Sequence, residues 1–189
     1  MPANWSTLQT QLTSYFDNNQ VSKTERDSAQ FIANSYYTSV LSANIVTIPG
    51  SVLVAPAAPS LIANGFENTF RIIKTKGSMP SAADYSPAAV GIVQFWLASR
   101  WAPLPPPPGY VGPITGNQTI SGGSPAPLNY DIWNAFNNNI PGKVGAVIAT
   151  KLVAAFTAHL TLVQGIYVGL IPSPTGPIPG PPFPWLGVA

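Results

Sequence analysis

Cysteine is absent from the chain and charge is scarce. Without cysteine there is no disulfide, no thiol nucleophile and no thiolate ligand for a metal, and the redox compartment stays open. Eight Lys and Arg and six Asp and Glu make up 7% of the 189 residues, against about 25% in a typical soluble domain. With so few groups, a net charge of +2 does not make the protein basic. Ordinary monomers stay soluble by spreading mixed charge over their surface. Here Ser, Thr, Asn and Gln take that role, or partners cover much of the surface. The second fits better, because the cores of protein interfaces are depleted in charge.

Chemistry-bearing patterns are scarce as well. His159 is the one histidine, close to an apolar stripe, where a packed or interface histidine is the expectation. General-base work would need a positioned partner. The carboxylates Asp17, Glu25, Asp27, Glu67, Asp84 and Asp131 are scattered. There is no G-x-S-x-G elbow, and "GYVGPITG" lacks the Lys-Ser/Thr ending of a phosphate loop. The expectation is therefore no enzyme, no cofactor, no metal and no small-molecule substrate. Arg71, Lys74 and Lys76 form the densest cationic cluster, which reads as a helix C-terminus decorated to suit its dipole rather than as a nucleic-acid face. The opening "MPANWSTLQTQL" lacks a basic region followed by an apolar run, so no secretory signal is expected there. The sequons at Asn4 and Asn117 then carry little weight.

What is present is apolar periodicity. The length fits one domain with a sizeable core, and spacing predicts six helices. Trp5, Leu8, Leu12 and Phe16 share the first face. Ser22 and Glu25 suit a capping box for the second, which carries Ala29, Ile32, Ala33, Tyr36 and Val40. The third has Ile62, Phe66, Phe70 and Ile73, with Glu67 and Arg71 as a surface i,i+4 pair. The fourth begins at Ser86-Pro87 and shows Ala89, Val93, Trp96 and Leu97. Ile132, Trp133, Phe136 and Ile140 mark the fifth, and the sixth runs from about Lys143 to Leu170. Residues 152–171 carry no formal charge over 20 positions, about the length that crosses a bilayer. Yet the one-sided stripe Leu152, Phe156, Leu160, Val163, Tyr167 and Leu170 reads better as a helix buried in a bundle.

Between the helices lie extended segments broken by proline. Residues 44–59 are one, and 103–127, rich in Pro and Gly, are another, with room for a short hairpin around Gly116-Asn117. The tail "IPSPTGPIPGPPFPWLGVA" (171–189) holds seven prolines and no charge. Proline fixes φ in advance and so lowers the entropy of ordering such a segment. The reading is a helical domain over 1–170 and an extended arm over 171–189, with a chain lacking 172–189 still able to fold. Expected interface residues are Pro172, Pro179, Pro181, Pro182, Phe183, Pro184, Trp185 and Leu186 on the arm, with Trp101, Pro103 and Tyr110 around the second exit. Phe183 and Trp185 are of the type that dominates interface energetics. Arg100, Pro103 and Pro106 also fit the basic-x-x-Pro-x-x-Pro pattern, so an alternative is a helical module whose proline segments recruit a peptide-recognition domain. A repeat at 120 residues suggests itself: "LTSYFDNNQVSK" (12–23) lies over "IWNAFNNNIPGK" (132–143), and the middle helix pair has the same outline. The fold class expected is mainly α, about six helices in hairpins that each throw out an extended segment.

Three stretches, "NWSTLQTQLTSYF", "KLVAAFTAHLTLVQGIYVGLIP" and "PGPPFPWLGVA", give the chain its resemblance to small structural proteins of tailed bacteriophage virions, of the marine and cyanobacterial phage type. The resemblance implies a particle component: capsid cement, minor capsid protein, or a neck, tail or baseplate subunit. It further implies a virion location after assembly in the host cytoplasm. Partners would be other subunits of the same particle, copies of the chain among them. It transfers no catalytic residue and does not choose between head and tail.

Overall fold

Each apolar stripe becomes a helix in the computed structural model, which describes residues 3–18, 23–48, 50–102, 106, 108–111, 119–137 and 144–189. The elements run α1 (Trp5–Asp17), α2 (Glu25–Val40), β1 (Val52–Ala55), α3 (Ser60–Thr75), a 3-10 turn (Ala82–Tyr85), α4 (Ser86–Ala98), β2 (Arg100–Ala102) and β3 (Thr119–Ser121). They continue with α5 (Pro125–Asn137), α6 (Val144–Leu160), β4 (Gln164–Tyr167), β5 (Leu170–Ile171), β6 (Ile178–Pro179) and β7 (Phe183–Leu186). The protein is mainly α.

Local chemistry sets the helix starts. Asn4 caps α1 by accepting the Thr7 N–H at 3.2 Å. The capping box of α2 uses Thr24 and Asp27, two residues later than the sequence suggested. Ser22 lies outside the described residues, and Glu25 instead pairs with Lys74 on α3. Helix α6 receives its cap from a distance: Asp17 Oδ1, at the end of α1, accepts the Gly145 N–H at 3.0 Å. A carboxylate there suits the positive end of the α6 dipole.

The six helices form a closed ring in which each packs on the next and α6 returns to α1. Specific contacts fix their alternating directions. Asn4 N–H donates to Ser39 O, placing the start of α1 beside the end of α2. The Glu25–Lys74 pair sets the start of α2 against the end of α3. Asn137 Nδ2 donates to Tyr85 Oη at 3.1 Å, bringing the end of α5 to the start of α4. The helix ends within each hairpin therefore gather at one end of the bundle, and the described parts of the three long segments, 41–59, 99–124 and 161–189, gather at the other. There they pair with each other. β1–β2 joins the first to the second, and β3–β4 joins the second to the third. The bridge Ile45–Val188 joins the third to the first.

The repeat is visible in the elements. α1 and α5 are both 13 residues long and begin 120 positions apart. The second helix of every hairpin also repeats at 60. Ala29, Ala89 and Ala149, then Ile32, Ile92 and Leu152, then Tyr36, Trp96 and Phe156 are all fully buried. The aromatic set fills the centre of the ring. Trp96 Nε1 donates to Tyr36 Oη at 2.8 Å, and the Tyr36 and Phe156 rings meet edge to face at 4.9 Å. Three residues further along, Ser39, Ser99 and His159 are buried polar groups. Each marks the mouth of its hairpin: Ser39 O accepts from Asn4 N, Ser99 Oγ from Ala57 N, and His159 Nε2 bonds Gly122 O.

Two expectations are corrected. The sixth helix stops at Leu160 rather than Leu170, and β4 follows. The tail is not a free arm: β5–β6 and β4–β7 make it the returning limb of a hairpin, so a boundary at 170/171 would cut through β5. In α4, Leu97 faces solvent while Ile92 and Phe95 are buried. The proposed turn at Gly116-Asn117 and the helical position Ile140 lie outside the described residues.

Candidate docking surface

The hairpin is built by alternation. From 162 to 170, Val163, Gly165, Tyr167 and Gly169 face inward, while Leu162, Gln164, Ile166, Val168 and Leu170 face outward. Across the ladder Trp185 sits opposite Gly165, and Pro184 opposite Ile166. Glycine at 165 leaves room for the indole, which is 2% exposed. A second glycine pair holds Tyr110. The Gly180 N–H donates to Gly169 O at 2.8 Å, and the ring of Tyr110 lies over both. A Cβ at Gly180 would come within 2.7 Å of Tyr110 Cε1. Tyr110 Oη then donates to Pro181 O, its ring meets Tyr167 edge to face at 5.1 Å, and Val111 bridges to Leu170. Beyond β7, Gly187 N–H donates to Val163 O and Val188 N–H to Leu160 O. Asn44 and Ala189 exchange backbone bonds at 2.7 and 2.9 Å.

The expected interface residues divide accordingly. Trp185 and Trp101 are buried in their own chain, Trp101 stacked on Trp96 at 6.0 Å and 1°. Neither is available to a neighbour, because the chain itself supplies the partners that their apolar area requires. Phe183 and Tyr110 are half-buried against each other. Pro172, Pro179, Pro181, Pro182, Pro184 and Leu186 are exposed on the hairpin, and Pro103 lies outside the described residues. Arg100 and Trp101 belong to β2, paired with β1, so this half of the basic-proline motif is held in a sheet.

Sequence reasoning missed the outward residues. Sixteen large apolar side chains are exposed among the described residues. Eleven of them lie on the extended segments: Leu41, Val46, Val52, Val54, Val111, Leu162, Ile166, Val168, Leu170, Ile178 and Leu186. A groove of about 350 Å³, lined by Trp5, Val46, Leu160, Leu186 and Val188, adjoins the hairpin. The signal available was Gly165 and Gly169, which sit at two-residue spacing with Val163 and Tyr167 in "LVQGIYVGL" and are poor helix formers.

Charge sits at the opposite end. Glu67 pairs with Arg71 at 2.5 Å, as its spacing predicted, but it is buried rather than on the surface, with Arg26 at 3.6 Å on its other oxygen. Lys74 pairs with Glu25 and Lys76 with Asp84. Hydrogen bonding from Lys76 and the Ser81 N–H holds the Asp84 carboxyl at about 2. The cationic cluster is thus matched by carboxylates. Asp17 and Asp27 serve as helix caps. No group of three or more metal-ligating His, Asp or Glu occurs among the described residues, and no helix among them is long and apolar enough to cross a membrane. His159 is 3% exposed, and burial lowers its pKa to about 4, opposed by the bond to Gly122 O. Neutral imidazole donating from Nε2 leaves Nδ1 buried without a partner among the described residues. The bond to Gly122 O ties the end of α6 to the segment that precedes α5. Comparison with family models, curated proteins and solved structures finds no match.

Proposed function

We propose that the protein is a structural subunit of a multi-subunit assembly, docking through the charge-poor end of its bundle. One observation carries this: eleven of sixteen exposed large apolar side chains cluster on the extended segments, where Arg100 is the one charged side chain among the described residues. An apolar patch of that kind marks an interaction site. The particle that fits the sequence resemblance is a tailed phage virion, as a head, neck, tail or baseplate component. Proline in the outer limb lets the hairpin present a face without offering a strand edge for uncontrolled pairing.

Particles purified from infected host cells test the reading. The protein is expected to sediment with them, and Ile166→Asp combined with Leu186→Asp is expected to be lost from them while keeping its far-ultraviolet circular dichroism. Normal incorporation of that folded variant would sink the docking surface. Absence of the wild-type chain from intact particles would sink the virion assignment.

A further inference from the structure

We infer that the outward face of the C-terminal hairpin receives the same face of a second copy of this chain. The inference rests on the docking role proposed above and names its first partner.

The face consists of Leu162, Gln164, Ile166, Val168 and Leu170 on one limb and Pro179, Pro184 and Leu186 on the other. The aliphatic side chains are 39% to 53% exposed. At roughly 70 Å² apiece these five and the two prolines present on the order of 500 Å² of apolar surface. That lies at the upper end of the largest patch on an ordinary monomer and is most of the ~800 Å² per partner that a standard interface buries. The patch is thus large enough to be the centre of a stable dimer.

Its chemistry suits a copy of itself. In a two-fold contact the residues near the axis meet their own counterparts, so any charge there faces a like charge. Residues 152–189 contain no Asp, Glu, Lys or Arg. The one polar side chain in the face is Gln164, whose amide both donates and accepts and can therefore pair with its own copy. Strand addition along the hairpin is disfavoured, because β7 is the edge of the sheet on that side and Pro181, Pro182 and Pro184 lack the N–H that a new strand would use. The hairpin therefore offers its face rather than its edge, to pack at the ~10 Å separation of stacked sheets.

The full chain, analysed by sedimentation equilibrium over a range of concentrations, is expected to approach twice its 19.9 kDa mass. Ile166→Asp with Leu186→Asp is expected to halve that apparent mass. Because the chain has no cysteine, single substitutions give a second, milder readout. Ile166→Cys is expected to form a disulfide-linked dimer under mild oxidation, whereas Met79→Cys, on a residue 87% exposed near the charged end, is not. A wild-type chain that stays monomeric throughout, or equal cross-linking through both cysteines, overturns the inference. Monomeric wild type together with loss of the Asp variant from particles would leave the docking role standing with a different subunit as partner. Dimer disruption without loss from particles would leave the dimer and remove the docking role.

Discussion

His159 carries most of the pH dependence of folding between about pH 4 and 6.5. Its folded pKa of about 4 lies below the 6.5 of an ordinary exposed imidazole, and burial is the main cause. Between those values the unfolded chain binds a proton that the folded chain does not. Stability therefore rises with pH across this window and falls on acidification, with the loss complete below about pH 4. The full effect is up to about 3 kcal/mol, since each pKa unit corresponds to ~1.4 kcal/mol. Gln at this position keeps a donor for Gly122 O and does not titrate. Urea denaturation at pH 7 and pH 5 is expected to show a clear loss for the wild type and a much smaller one for His159→Gln. Equal losses in both would assign the acid sensitivity to carboxylates instead.

At the scale of elements, the helix pair α3–α4 depends on two glycines that permit backbone contact. A Cβ at Gly65 would lie 2.4 Å from Pro87 O, and one at Gly91 would lie 2.6 Å from Leu61 O. Alanine gains about 1 kcal/mol of helix propensity at such a site. Here the clash is with carbonyl oxygens fixed in the neighbouring helix, and overpacking of that kind costs about 1–3 kcal/mol or more. Gly91→Ala is thus expected to lower the melting temperature measurably, while Gly77→Ala, which meets nothing within 4 Å, serves as the control. An unchanged melting temperature for Gly91→Ala would mean the helices separate at little cost. Five helices were legible because buried residues recur at three and four. The sixth was overextended for a definable reason: Val163 and Tyr167, four apart, share a face in a helix and in a strand alike. Gly165 between them and Gly169 two residues beyond were the discriminating residues. The docking face was less legible still. Hydrophobicity says that Trp185 will be buried, but only the pairing of β7 with β4 says that its own chain buries it. Once the tail folds back, the exposed positions are the intervening residues of the alternation, which no helical reading could select.

For the molecule as a whole, the ring of three helical hairpins is closed twice, once by α6 against α1 and again by the layer of extended segments at the charge-poor end. The third segment pairs with both of the others, through β3–β4 and through the Ile45–Val188 bridge, while β1–β2 joins those two directly. Removing residues 183–189 deletes β7, takes Trp185 and Val188 from the core and uncovers Tyr167. Truncating one buried large aromatic to alanine costs about 3–5 kcal/mol, and a whole domain is stable by only ~5–15 kcal/mol. Loss of the limb is therefore expected to unfold the protein or leave it aggregating, contrary to the separable arm that the proline content suggested. The control is Pro181→Ala with Pro182→Ala, two exposed positions whose side chains leave the core intact. Thermal denaturation followed by circular dichroism distinguishes the two outcomes. The truncated chain should show no cooperative transition, whereas the double alanine variant should melt within a few degrees of the wild type. A cooperative transition at the wild-type temperature after truncation would mean that the helical ring is self-sufficient and the hairpin an appendage. In that event the outward face would owe its position to contacts other than those that bury Trp185.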